Sequence, residues 1–144
     1  MNRRNLLKLV AGMAPVLMLP ALASADEPVK VVYHLTEGID QAARAMGNIR
    51  NHLRAEPDTK VVVVTNGDGI RFLLNGARER NGKPFDAQVA ALAQQGVEFR
   101  VCKNTLTAHD VPVAQLLPEA RLVTSGVVEA ARLQAKEGYA YLRP

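Results

Sequence analysis

The run Lys60-Val61-Val62-Val63-Val64-Thr65 sets the tightest limit on what this chain can fold into. Four consecutive valines place apolar side chains on both sides of an extended segment, which leaves such a strand no face for water. β-Branched residues are stiff at χ1 and suit a pleated surface better than a helix. A strand buried on both faces belongs in a parallel sheet with helices on each side. Val29-Lys30-Val31-Val32-Tyr33-His34-Leu35 and Val97-Glu98-Phe99-Arg100-Val101, the latter ending at Cys102, fit beside it. Ala120-Arg121-Leu122-Val123-Thr124 and Tyr139-Ala140-Tyr141-Leu142-Arg143 supply two shorter strands.

Helical patterns fall between these runs. Asp40 is placed to cap a helix running to about Arg54, with Ala43, Met46, Ile49 and Leu53 recurring at helical spacing. Residues 84–95 read as a helix opened by Pro84 and closed by Gly96, and residues 126–136 as one ended by Gly138. Short helices are expected over residues 70–74 and 113–117. A polar loop with Thr105, Thr107, His109 and Asp110 is expected after Cys102. Alternating strands and helices predict a mainly parallel α/β sheet with helices on both faces. Ligands of such sheets gather at the carboxyl edge of the strands. Thr36-Glu37-Gly38, Asn66-Gly67-Asp68 and Cys102-Lys103-Asn104-Thr105 all fall on that edge.

Residues 1–25 have the three parts of an export signal. Arg3, Arg4 and Lys8 supply the charge, residues 9–19 the apolar run, and Ala23-Ser24-Ala25 a cleavage site before Asp26. The expected mature protein is one domain, residues 26–144, in the periplasm of a Gram-negative host. Arg3-Arg4-Asn5-Leu6-Leu7-Lys8 resembles a twin-arginine signal, which exports folded proteins. An uncleaved anchor is the alternative, although the apolar run is short for a membrane span and interrupted by Pro15. The leader also distorts the charge. The formal +4 reflects 18 Lys and Arg against 14 Asp and Glu. Without Arg3, Arg4 and Lys8 the 18 become 15, and the excess falls to one. With only three Tyr, three Phe and no Trp, no basic face interleaved with aromatics remains, which argues against a nucleic-acid partner.

Cys102 is the single cysteine, so in an exported protein it is buried and inert, paired between chains, or reactive. Its place at a strand's carboxyl end, with Lys103 adjacent and the N–H groups of the following segment nearby, favours thiolate, the nucleophilic form. The plain alternative is a packing residue, since free cysteine is among the most buried residue types. Asn66-Gly67-Asp68-Gly69 lacks the spacing of a phosphate loop or a dinucleotide fingerprint and reads as a turn, with Asn66 able to line the crevice. His34, His52 and His109 do not have the spacing of a metal set, and no motif calls for a cofactor. His34 reads as a satisfied core histidine and His52 as a solvated one. His109, seven residues past the cysteine, is a candidate base.

The string Gly96-Val97-Glu98-Phe99-Arg100-Val101-Cys102-Lys103-Asn104-Thr105-Leu106, with the opening strand, the strand ending at Asn66 and the tail from Gly126 to Tyr141, resembles the DsrE/DsrF-like (YchN-like) family. The resemblance runs over nearly the whole of residues 26–144. It implies a three-layer α/β/α domain with a five-stranded, mainly parallel sheet in the order 4-3-2-1-5, and assembly into trimers or hexamers. It also implies sulfur handling, with the cysteine matching Cys102 accepting sulfur as a persulfide and passing it to a donor or acceptor partner protein. On this reading Cys102 and Lys103 are the catalytic candidates, and Asn104, Thr105, Asn66, Thr36 and His109 line the site. The alternative is a non-catalytic oligomeric protein whose carboxyl-edge crevice holds a small ligand.

Overall fold

The valine run becomes the centre of the sheet, and all four of its valines are buried. The computed structural model describes residues 27–144, so the export signal expected over residues 1–25 lies outside the described residues. In chain order the elements are β1 (Lys30–Leu35), α1 (Ile39–Ala55), β2 (Lys60–Thr65), a 3-10 helix (Gly67–Leu73), α2 (Phe85–Gln94), β3 (Glu98–Cys102), α3 (Lys103–Ala108), a second 3-10 helix (Val113–Gln115), β4 (Ala120–Val123), α4 (Gly126–Glu137) and β5 (Ala140–Leu142). The five strands form one parallel sheet in the order β4-β3-β2-β1-β5. This is the expected α/β architecture and strand order.

Alternation along the strands divides the core into two unequal parts. One face carries Val31, Tyr33 and Leu35 of β1, Val61 and Val63 of β2, and Phe99 and Val101 of β3. Against it pack Ala45, Met46 and Ile49 of α1, Phe72 of the first 3-10 helix, and Phe85, Val89 and Leu92 of α2. Phe72 meets Phe85 and Phe99 edge-on, with ring centroids 5.6 and 6.2 Å apart. Each such pair contributes about 0.5–1.5 kcal/mol beyond the area it buries. On the opposite face Val32, Val62 and Val64 meet Ala130 and Leu133 of α4, with Tyr139 partly buried against them. A single helix covers that side of the sheet.

The turn after β2 is held by a close approach. A Cβ on Gly69 would stand 2.0 Å from the carbonyl oxygen of Leu35, so the 3-10 helix lies directly on the end of β1. Glycine is the one residue that fits there.

The structure corrects several local expectations. The segment after Cys102 is helical, not a loop, because Leu106 enters the core and Thr105 is buried with it. Asp40 sits in the first turn of α1, whose cap position is Gly38. Ala42 and Ala45 line the buried face of α1, with Ala43 only partly buried beside them. The two short helices are both 3-10. Among the described residues no helix is long and apolar enough to cross a membrane.

Candidate functional site

The face covered by α4 carries a row of polar groups, buried at His34 and Cys102 and more open at Arg100 and Tyr141. His34 on β1, Arg100 and Cys102 on β3, and Tyr141 on β5 share the pleat side of Val32, Val62 and Val64. Thr65 pairs with Val101, so Asn66, one residue past β2, lies level with Cys102. Gly126, the first residue of α4, sits between them. A Cβ there would stand 3.1 Å from the Cβ of Asn66, 3.1 Å from the carbonyl oxygen of Thr65 and 3.3 Å from the Cβ of Cys102. The absence of a side chain at residue 126 lets the helix start seat itself against the cysteine.

Cys102 is the extended residue from which α3 begins, and it is 5% exposed. Burial pushes its thiol up; the hydroxyl of Thr105 and the N–H groups of Gly126, Thr105 and Asn104 outweigh that effect and hold it below the ordinary thiol value. The sulfur makes no side-chain capping hydrogen bond to its own helix. The Thr105 hydroxyl is itself oriented, since its oxygen accepts the Gly67 N–H at 3.0 Å, which leaves its one hydrogen for the sulfur. Beneath the cysteine, Arg100 pairs with Glu98 at 2.8 Å and with Glu129 of α4. Burial lowers the Arg100 guanidinium pKa, and the two carboxylates more than reverse that. Arg132 and Arg100 together hold the Glu129 carboxyl below its usual range against burial.

A second row runs away from the cysteine. Asn66 Oδ1 lies 2.6 Å from His34 Nε2, and His34 Nδ1 lies 2.8 Å from the hydroxyl of Tyr141. His34 is 8% exposed and bonded at both ring nitrogens, which is the satisfied core histidine the sequence led us to expect. Its bond to Asn66 is what the sequence did not disclose.

The remaining site candidates disperse. Cys102, Asn66, Thr105 and the backbone of Asn104 come together. Lys103 is exposed, and the groups that hold the thiolate are neutral donors instead of its ammonium. Thr36 ends β1, two strands from the cysteine, with its N–H on Gln41 and its hydroxyl on Arg143. His109 closes the far end of α3, about 10 Å along the helix from Cys102 by the rise per residue. There it lines an open pocket of about 470 Å³ with Ile70, Leu74 and Val111. His52 is half-buried and contacts the Tyr33 hydroxyl at 3.3 Å, so it is not a purely solvated residue. Among the described residues no three metal-ligating side chains form a cluster. Sequence reasoning missed Gly126, His34 and Tyr141 as neighbours of the site. A Ser-Gly at a helix start after a strand was the available signal for the first, and only strand order could supply the others.

A five-stranded parallel sheet with a lone cysteine at the carboxyl end of β3, under the start of the following crossover helix, defines a class of small α/β proteins with a carboxyl-edge thiol. This chain belongs to the DsrE/DsrF-like family, whose sequence profile matches residues 21–144. Among solved structures it is similar to a protein of unknown function from Methanobacterium thermoautotrophicum, with 31% identity and a TM-score of 0.71 over 81% of this chain and 99% of that one. It also shares its fold with the ychN protein from E. coli, at 14% identity and a TM-score of 0.64 over 82% of this chain and 99% of that one. No curated protein matches it in sequence.

Proposed function

We propose that this protein is a sulfur carrier, or a sulfurtransferase-like protein, that holds sulfur as a persulfide on Cys102. The observation that carries the reading is the place of Cys102 at the start of α3 with Gly126 of α4 seated against it, where backbone N–H groups and the Thr105 hydroxyl lower the thiol pKa in spite of burial. Thiolate is the form that attacks sulfur. Sulfur relay is a common role in the DsrE/DsrF-like family, to which the chain belongs. In the step, the Cys102 thiolate attacks the outer sulfur of a sulfane donor such as thiosulfate or a polysulfide. A bond forms between Sγ and that sulfur, the donor's own S–S bond breaks, and the leaving group departs with the electron pair as sulfite or a shortened polysulfide. Charge balances with no outside oxidant. An acceptor thiolate later takes the outer sulfur by the same exchange.

The expected export and assembly belong to the same proposal: a periplasmic protein released by cleavage before Asp26, acting as a homo-oligomer. Val127 and Val128, 58% and 62% exposed beside Gly126, offer apolar surface to a second copy or to a sulfur partner. The 5% exposure of Cys102 favours a second reading, in which the cysteine is a packing residue of a small-ligand-binding accessory protein.

Mass spectrometry separates the two readings. Purified residues 26–144 are incubated with polysulfide, or with thiosulfate and a transferase. The carrier reading requires an adduct of about 32 Da, one added sulfur atom, that reductant removes and Cys102→Ser abolishes. A native protein that resists both loading and alkylation is the accessory protein instead.

A further inference from the structure

We propose that Asn66 binds the outer, negatively charged sulfur of the Cys102 persulfide, and that His34 and Tyr141 are positioning residues that aim its amide. The inference rests on the carrier reading and adds the residue that receives the anionic sulfur. Three observations lead to it. Asn66 is level with Cys102 on the neighbouring strand, and the two Cβ atoms flank one point on Gly126 at 3.1 and 3.3 Å. The Asn66 carbonyl oxygen is occupied at 2.6 Å by His34 Nε2. With Oδ1 accepting, Nε2 carries the hydrogen, and Nδ1 is left to accept the Tyr141 hydroxyl at 2.8 Å. This fixes which arm of the amide fork is bonded and which is free.

The third observation concerns the free arm. Among the described residues, the only sealed side-chain polar atom without a partner is the Thr59 hydroxyl. The Asn66 Nδ2 group has no hydrogen-bond partner among the described residues, and half-buried Asn66 leaves it unsealed, so it is free to bond a ligand. A neutral amide donor held in place beside a buried sulfur suits a small anion better than a mobile surface lysine does, because its orientation is fixed before the ligand arrives. The ligand class that follows is an anionic low-molecular-weight sulfane donor, a polysulfide or thiosulfate. In the loading step the electron pair of the broken bond leaves with the departing group, while the outer sulfur is negatively charged in the donor and again in the persulfide, so it is the anion that Nδ2 can bond. After loading, the same N–H groups bond the outer sulfur of the persulfide.

The test compares two reactions of one thiol. Loading by sodium tetrasulfide, an anionic donor, is timed by mass spectrometry. Alkylation by iodoacetamide, a neutral reagent, reports the thiolate itself. Asn66→Ala is expected to slow loading about tenfold, the cost of losing a hydrogen bond to a charged group, while alkylation stays within about twofold. Asn66→Asp guards against a variant that fails to fold. It keeps an oxygen for His34 and presents a carboxylate where the free N–H stood, so loading should slow further. His34→Ala should slow loading in the same direction, and the His34→Ala, Asn66→Ala double variant should be no slower than Asn66→Ala alone, because the histidine acts through the amide. His34→Gln, which can still donate to Asn66 Oδ1, should recover part of the rate. If the parent loads sulfur and both Asn66 variants load at the parent rate, this inference is wrong and the carrier reading stands. Equal slowing of loading and alkylation would mean that Asn66 shapes the thiol without binding the sulfur, which also overturns it. If the parent does not load at all, the carrier reading fails and takes this inference with it.

Discussion

Replacing Thr105 by valine tests the account of the Cys102 thiolate at its most specific point. The two side chains have nearly the same shape, and Thr105 is 9% exposed, so the change removes a hydroxyl without opening a cavity. That hydroxyl has two tasks: its oxygen accepts the Gly67 N–H at 3.0 Å, and its hydrogen is directed at the sulfur. Its effect on the sulfur is taken at the net value of an ordinary hydrogen bond, about 0.5–1.5 kcal/mol. At about 1.36 kcal/mol per pH unit, the Cys102 pKa should rise by roughly half to one unit. The Gly67 N–H loses its acceptor as well, which should lower the unfolding free energy by about 1 kcal/mol or somewhat more. Iodoacetamide alkylation rates measured against pH give the first quantity, and urea unfolding gives the second. Thr105→Ser, which keeps the hydroxyl, should stay within a few tenths of a unit of the parent. A Thr105→Val protein with the parent's alkylation midpoint would show that the backbone donors alone hold the thiolate, and the role assigned to the hydroxyl would be wrong.

The depressed thiol carries a stability signature with a definite sign. Its folded pKa lies below its unfolded value, so the contribution is complete above the unfolded pKa and lost as pH falls through the folded one. The parent should therefore gain stability relative to Cys102→Ser as pH rises from below the folded pKa to the unfolded one, and a constant difference across that range in denaturant titrations contradicts the assignment. Gly126→Ala should cost about 1–3 kcal/mol, because the new Cβ meets the Thr65 carbonyl and two strand-anchored Cβ atoms at 3.1–3.3 Å. It should also slow alkylation of Cys102 by moving the helix start off the sulfur, and a variant as stable and reactive as the parent refutes the packing argument. Gly69→Ala faces a harder obstacle, a backbone oxygen at 2.0 Å, and should cost about 3 kcal/mol or more. An unchanged melting temperature there would mean that the turn after β2 moves freely off β1.

The fold was legible because its strongest signals were local and redundant. Four valines in β2 demanded cover on both faces, and the strands on either side repeated the demand with fewer residues. What the sequence misled on was the segment after Cys102. Asn104, Thr105 and Thr107 are polar and weak helix formers, and their pattern reads as a loop. Tertiary context reverses this: Leu106 enters the core, Thr105 finds the Gly67 N–H, and α3 starts with no linker at all. The same immediate helix start, with the arrival of Gly126, leaves Cys102 5% exposed. Asn66 and Cys102 could be placed on one edge from sequence. That His34 and Tyr141 belong beside them could not, because His34 and Tyr141 are 107 positions apart and meet only through the pairing of β1 with β5.

The asymmetry of the two sheet faces explains why the chemistry lies where it does. On the α1 and α2 side, three phenylalanines and a tight apolar cluster fill most of the space, and the few polar groups there, such as the Tyr33 and Thr65 hydroxyls, each find one partner. On the α4 side one helix reaches β1, β2 and β3 mainly through Ala130 and Leu133, which leaves room at its start and along its flank. That room is taken by groups that satisfy one another: Arg100 with Glu98 and Glu129, and His34 with Asn66 and Tyr141. Cys102 sits where the two sets converge, under a helix N-terminus whose partial positive charge favours an anion. A thiol on the other face would meet mostly hydrocarbon, its pKa would be raised, and it would not act as a nucleophile. The downward direction of the Cys102 pKa, in spite of burial, is therefore a consequence of covering one face of a parallel sheet thinly.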